Sequence, residues 1–153
     1  MEKPIKLKPG LYSIFLEHLK QIALLYGYNL VVHGSMDRDL DLIAIPWTEK
    51  PIDSDLMIKE FQEYLTGKIE VDPKGKVPYT MMPSGRRSYV IDLNRGNKNG
   101  EWVRFEDKEY YLDISVTPTL RQIVESTFKL LDEDREIVYD DETVNEYIKK
   151  VLK

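Results

Sequence analysis

The sequence predicts an α+β fold: a mixed or mainly antiparallel sheet with helices packed on one face. Three observations carry that prediction. Helical apolar spacing occupies both ends of the chain, short β-branched stretches are grouped between them, and 153 residues is the length of one domain with a single core. A single domain is therefore expected over 1–153, with its core at about 10–131 and a C-terminal helix at about 141–152. Apolar residues at 42% and charged residues at 32% exclude a disordered or fibrous chain.

Pro9 and Gly10 open a helical pattern in which Leu11, Phe15, Leu19, Ile22 and Tyr26 recur at three- and four-residue steps, and Gly27 sits where a left-handed C-terminal cap belongs. Asn29-Leu30-Val31-Val32-His33 reads as a strand running into a tight Gly34-Ser35 turn. Asp39 to Ile45 is a second strand, ended by Pro46. Asp53 or Ser54 caps a helix through Leu56, Phe61, Tyr64 and Leu65, closed by Gly67. Pro73, Gly75, Pro78 and Pro83 break regular structure between Lys68 and Ser84, so a loop or flap is expected there.

Arg87 to Leu93 is another strand, Asn94 to Gly100 is turn-rich, and Glu101 to Phe105 is expected to pair back across it. Glu109 to Val116 is the clearest strand of the second half. Thr117-Pro118 then begins a helix with proline at its first position, carrying Leu120, Ile123, Val124, Leu130 and Leu131. An acidic link from Asp132 to Glu136 leads to a last helix from about Asp141, whose terminal Lys149 and Lys150 suit the helix dipole.

Charge and composition narrow the chemistry. Lysine plus arginine is 22 against 27 for aspartate plus glutamate, a net charge of -5. That balance disfavours a long nucleic acid as partner, because such binding draws its affinity from neutralised phosphates. The absence of cysteine excludes disulfides, zinc–thiolate sites and thiol nucleophiles. With His18 and His33 the only imidazoles, a multi-histidine metal site is excluded too, and any metal is a hard cation held by carboxylates. No apolar signal follows Met1, and the apolar stretch from Ile22 to Val32 falls short of a bilayer span. A cytoplasmic protein without membrane contact is the expectation.

The densest chemical signal is His33-Gly34-Ser35-Met36-Asp37-Arg38-Asp39-Leu40-Asp41-Leu42-Ile43. Strand alternation places Asp39 and Asp41 on one face, about 6–7 Å apart along the backbone. Two carboxylates that close raise the cost of ionising one another, and a divalent cation removes the penalty. The Gly34-Ser35 turn offers backbone N–H groups and a hydroxyl suited to a phosphate. Asp113 is a third candidate: Leu112, Ile114 and Val116 take one face of their strand and leave Asp113 on the other.

A Gly-Ser turn, a strand with Asp-x-Asp and a later strand with a third Asp resemble the nucleotidyltransferase fold of the DNA polymerase beta type. That superfamily includes aminoglycoside nucleotidyltransferases and small nucleotidyltransferases of toxin–antitoxin systems. The segment from Arg38 to Trp47 is similar to one in small phage and bacterial proteins that also carry a Gly-Arg pair, here Gly85-Arg86, and a late Asp-hydrophobic-Ser, here Asp113-Ile114-Ser115. The resemblance spans roughly Leu30 to Pro118.

The resemblance implies Asp39, Asp41 and Asp113 as catalytic residues and ligands of Mg²⁺ or Mn²⁺. Asp113 would also help to activate an attacking hydroxyl. It implies a triphosphate held by Gly34 and Ser35, with Arg38 and Arg86 in reach of its phosphates, and transfer of a nucleoside monophosphate from an NTP to a hydroxyl acceptor. The chain departs from the family at one point. Only Met36, Asp37 and Arg38 separate Ser35 from Asp39, where the family has a helical turn or more. The alternative is therefore a catalytically silent module of the same fold that binds or assembles with a protein partner.

The remaining candidates have plainer roles. Asp37, Asp39 and Asp41 begin like a calcium loop, but Leu42 and Thr48 stand where glycine and glutamate are required. His18 and His33 read as structural, Trp47 and Trp102 as packing residues, Arg87 as a surface ion-pairing residue, and Asp132-Glu133-Asp134 as a solvated link.

Overall fold

The computed structural model describes residues 8–34, 40–93, 95–98, 101–104, 111–132 and 141–151. They fall into two compact units, Met1–Thr117 and Pro118–Lys153. The first contains α1 (Lys8–Leu25), β1 (Tyr28–His33), β2 (Leu40–Pro46), α2 (Ser54–Thr66), β3 (Thr80–Met81), β4 (Arg87–Asp92), β5 (Arg95–Lys98), β6 (Glu101–Arg104) and β7 (Tyr111–Val116). The second contains α3 (Leu120–Asp132) and α4 (Asp141–Val151).

Five strands form a mixed sheet in the order β1-β2-β7-β4-β3. β2 and β7 run parallel, and the other neighbours are antiparallel. Alternation along each strand separates two faces. Leu30 of β1, Leu40, Leu42 and Ala44 of β2, Tyr89 and Ile91 of β4, and Leu112, Ile114 and Val116 of β7 share one buried cluster. Leu19, Ile22 and Ala23 of α1 and Met57, Ile58 and Phe61 of α2 belong to it, so both helices cover the same face. The fold is α+β. Each large side chain buried this way stabilises the unit by about 1.5–3 kcal/mol relative to exposure, before chain entropy is counted.

Local chemistry sets the ends of α2. The Asp53 carboxylate accepts from the Asp55 N–H, and Gly67 takes φ 67° while its N–H donates to the Glu63 carbonyl. The start of α2 is then tied to the sheet. The Tyr89 hydroxyl donates to Asp55 Oδ1 at 2.9 Å and so accepts from Ser54 Oγ at 3.0 Å. Asp55 Oδ2 accepts from the Val77 N–H at 3.2 Å. These buried polar groups satisfy one another instead of facing apolar surroundings alone.

The structure differs from the sequence expectation at three places. The 68–84 segment is not wholly loop: Thr80 and Met81 pair with Ser88 and Arg87. Pro83, read as a breaker, instead sits second in a turn closed by the Gly85 N–H on the Met82 carbonyl at 3.0 Å, with Gly85 at φ 75°. Glu101–Arg104 does pair back, but onto Arg95–Lys98 within the turn-rich stretch, as a separate two-stranded sheet. Finally, α3 starts at Leu120, because Thr119 caps it. Thr119 Oγ1 accepts from the Gln122 N–H at 3.1 Å, and Gln122 Oε1 accepts from the Thr119 N–H at 2.9 Å. This reciprocal capping box leaves Pro118 outside the helix.

Within the second unit, Val124 of α3 packs with Val144 and Ile148 of α4, and Leu120 leans on that cluster. Arg121 reaches Asn145 Oδ1 at 2.8 Å and Glu125 Oε1 at 2.9 Å. Among the described residues no helix is long and apolar enough to cross a membrane.

Candidate functional site

The face of the sheet opposite α1 and α2 carries the acidic residues. Leu40 and Leu42 are buried in the core, so Asp41 between them projects from the other side of β2; Leu112 and Ile114 impose the same on Asp113 of β7. The parallel register places Asp41 directly opposite Asp113, on strands about 4.8 Å apart. Both residues are half-buried. The row extends both ways, since His33 of β1 is paired with Asp41 and Val90 of β4 with Asp113. Val90 is 55% exposed, so solvent reaches this face beside Asp113.

Gly34 follows His33 and takes φ 85°. A Cβ built on it would stand 2.7 Å from Asp41 Oδ2, closer than real Cβ contacts allow. The left-handed backbone there favours glycine, and any side chain in its place would push the Asp41 carboxylate aside. Gly34, Asp41 and Asp113 are thus brought together. Ser35, Arg38 and Asp39 lie outside the described residues. Arg86 is placed elsewhere, four residues before Val90 and so on the order of 13 Å along the strand from the carboxylate row. Its Nε donates to Ser84 Oγ at 2.9 Å within the β3–β4 turn.

Among the described residues no group of three or more histidines and acids is arranged to hold a metal ion. What they do supply is the pair Asp41 and Asp113. Magnesium commonly uses one or two carboxylates and completes its octahedron with waters and substrate phosphate oxygens, so the donor set fits that cation.

The core face of the sheet carries phenols with shifted titration, Tyr28 on β1 and Tyr89 on β4. Burial, then the charges of Asp53 and Tyr89, push the Tyr28 phenol from 10.0 up to about 12. Burial likewise raises the Tyr89 phenol, against the lowering effect of its bonds with Ser54 and Arg87. The Arg87 guanidinium lies 4.8 Å from the centroid of the Tyr79 ring. It is half-buried against these rings, where the sequence suggests a surface ion pair. This cluster shares the core side with α2, away from the carboxylates, and its work is to hold the helix start.

Sequence reasoning does not place His33 and Val90 beside the acids. Alternation in Arg87–Asp92, with Tyr89 and Ile91 apolar, already assigns Ser88 and Val90 to the face opposite the core. Which strand lies beside which is the missing information.

Comparison with protein-family models, with curated proteins and with solved structures finds no match.

Proposed function

We propose that this chain is a nucleotidyltransferase-like protein that moves a nucleoside monophosphate from an NTP to a hydroxyl acceptor. The observation that carries the reading is the register of Asp41 with Asp113 on the face away from the helices. Asp41 and Asp113, with Asp39, would hold Mg²⁺ or Mn²⁺, which when bound supplies positive charge against the triphosphate oxygens. Asp113 takes the proton of the acceptor hydroxyl. The acceptor oxygen then forms a bond to the α-phosphorus while the bond from that phosphorus to the β-phosphate bridging oxygen breaks, and the electron pair leaves with pyrophosphate. In this reading the backbone N–H groups at Gly34 and Ser35 would donate to phosphate oxygens, and Arg38 would supply positive charge. Because Arg86 is placed down the strand, it is not assigned to the triphosphate in this reading. A cysteine-free chain suits the cytoplasm, where we place the activity.

Thermal unfolding with each NTP, with and without Mn²⁺, tests the proposal on wild type and Asp39→Asn. Ligand at about 100 times its dissociation constant adds roughly 2.7 kcal/mol, a shift of several degrees for a chain of this size. A cation-dependent shift for a nucleotide, lost in Asp39→Asn, supports transfer chemistry. No shift with any nucleotide overturns it in favour of the silent binding or assembly module, the outcome that the short Ser35–Asp39 spacing favours.

A further inference from the structure

Two residues along β7 from Asp113, roughly 6.6 Å away, a second row crosses the same face. Ser115 is paired with Ser88 of β4, and Ser88 with Thr80 of β3. On its other side Ser115 is paired with Ile43 of β2, and Ile43 with Val31 of β1. The row therefore reads hydroxyl, hydroxyl, hydroxyl, apolar, apolar, with no charge in it. Ser88 and Ser115 are half-buried, and Thr80 is exposed at the sheet edge. Among the described residues none of these three hydroxyls makes a side-chain hydrogen bond.

Each hydroxyl is one donor and two acceptors, and partial burial leaves it short of water. Neighbouring residues of the row stand on strands about 4.8 Å apart, a spacing that a single sugar ring spans. The row holds no charged side chain to balance a charged ligand, whereas a neutral hydroxyl-rich one matches its donors and acceptors and can lay C–H groups on Ile43 and Val31. We propose that Ser115, Ser88 and Thr80 form a binding subsite for a neutral polyhydroxylated group, one side-chain repeat from the Asp41–Asp113 row. Binding at this subsite is independent of the transferase reading, and only the use of the bound group in transfer rests on it. Two sources share this chemistry: the ribose of the nucleotide, and a separate sugar or polyol acceptor.

NMR titration of the full chain with D-ribose, D-glucose and myo-inositol, without metal or nucleotide, tests it on wild type and on the Ser88→Ala/Ser115→Ala double variant. The expected result is saturable shifts at the amides of Ser88, Ser115 and Thr80 with at least one of the three. Affinity should fall about fivefold or more in the variant, as for the loss of one or two net hydrogen bonds. A response to ribose alone identifies the nucleotide's ribose as occupant; a response to glucose or inositol identifies a separate acceptor. No saturable shift with any of the three, or equal affinity in a double variant whose spectrum remains folded, overturns the subsite. The same titration on Asp41→Asn separates the two readings. Sugar binding retained while wild type shows no Mn²⁺-dependent nucleotide shift sinks transfer and leaves the subsite. A nucleotide shift without sugar binding does the reverse.

Discussion

Asp41 of β2 and Asp113 of β7 stand directly opposite one another across a parallel strand pair, both on the face that α1 and α2 leave. They are 72 residues apart in sequence, as their numbers give. Only the crossover that makes β2 and β7 neighbours brings them together.

Gly34→Ala puts a methyl group 2.7 Å from Asp41 Oδ2 and forces φ 85° on a residue with a side chain. The left-handed backbone alone costs about 1–2 kcal/mol. Urea unfolding should therefore show a loss of at least that size, and Mn²⁺ calorimetry a weaker affinity, because the carboxylate must move. Unchanged stability and affinity would mean that the turn and Asp41 are independent.

Tyr89→Phe removes the hydroxyl that bridges Ser54 and Asp55 while leaving the ring in the core. Ser54 is buried and loses its partner, so a destabilisation of about 1–3 kcal/mol is expected from urea denaturation. Adding Ser54→Ala should cost less than the two single losses combined, since both act on one network. Additive losses would contradict the network.

Much of this fold is legible in the sequence where the physics is local. Asp53 and Gly67 bound α2 as capping chemistry requires, and the alternation of Leu40, Leu42 and Ala44 names the core side of β2. Thr119 and Gln122 are readable as a capping box, but Pro118 offers a competing start two residues earlier. The hairpin at Met82–Gly85 is hidden because proline and glycine mark a turn as readily as a loop. Of the candidate site, the phase of Asp41 and Asp113 follows from alternation alone. Their register, the seat of Asp41 against Gly34 and the distance of Arg86 depend on strand order, which no local pattern encodes.

Alkaline pH should unfold the first unit sooner than ordinary tyrosines would allow. The Tyr28 phenol titrates at about 12 in the folded chain against 10.0 ordinarily, so the folded state binds the proton more tightly. That contribution to stability is complete below pH 10 and is lost as pH rises through about 12. Tyr28→Phe gives up the 3.3 Å bond to the Ile52 carbonyl, lowering stability at neutral pH, yet its urea midpoint should fall less steeply between about pH 9 and 11. The slope shrinks without vanishing, because Tyr89 is raised as well. An unchanged slope would contradict the assignment.

Thr119→Ala dismantles one half of the box that starts α3. Lost caps cost about 1 kcal/mol, a factor of about five in a local opening equilibrium. Hydrogen exchange at the first-turn amides of α3 should quicken by about that factor. Unchanged protection would show that the helix start is fixed by something other than its cap.

The central claim is that Asp41 and Asp113 hold one cation between them. Mn²⁺ titration of wild type, Asp41→Asn, Asp113→Asn and the double variant, each checked for folding by its urea midpoint, tests it most directly. The expected result is a loss of about tenfold or more in affinity for each single variant, and a double loss clearly smaller than the product of the two. Relief of carboxylate repulsion should leave metal-free Asp41→Asn no less stable than wild type. Strictly multiplicative losses, or wild-type affinity in either single variant, would contradict a shared cation.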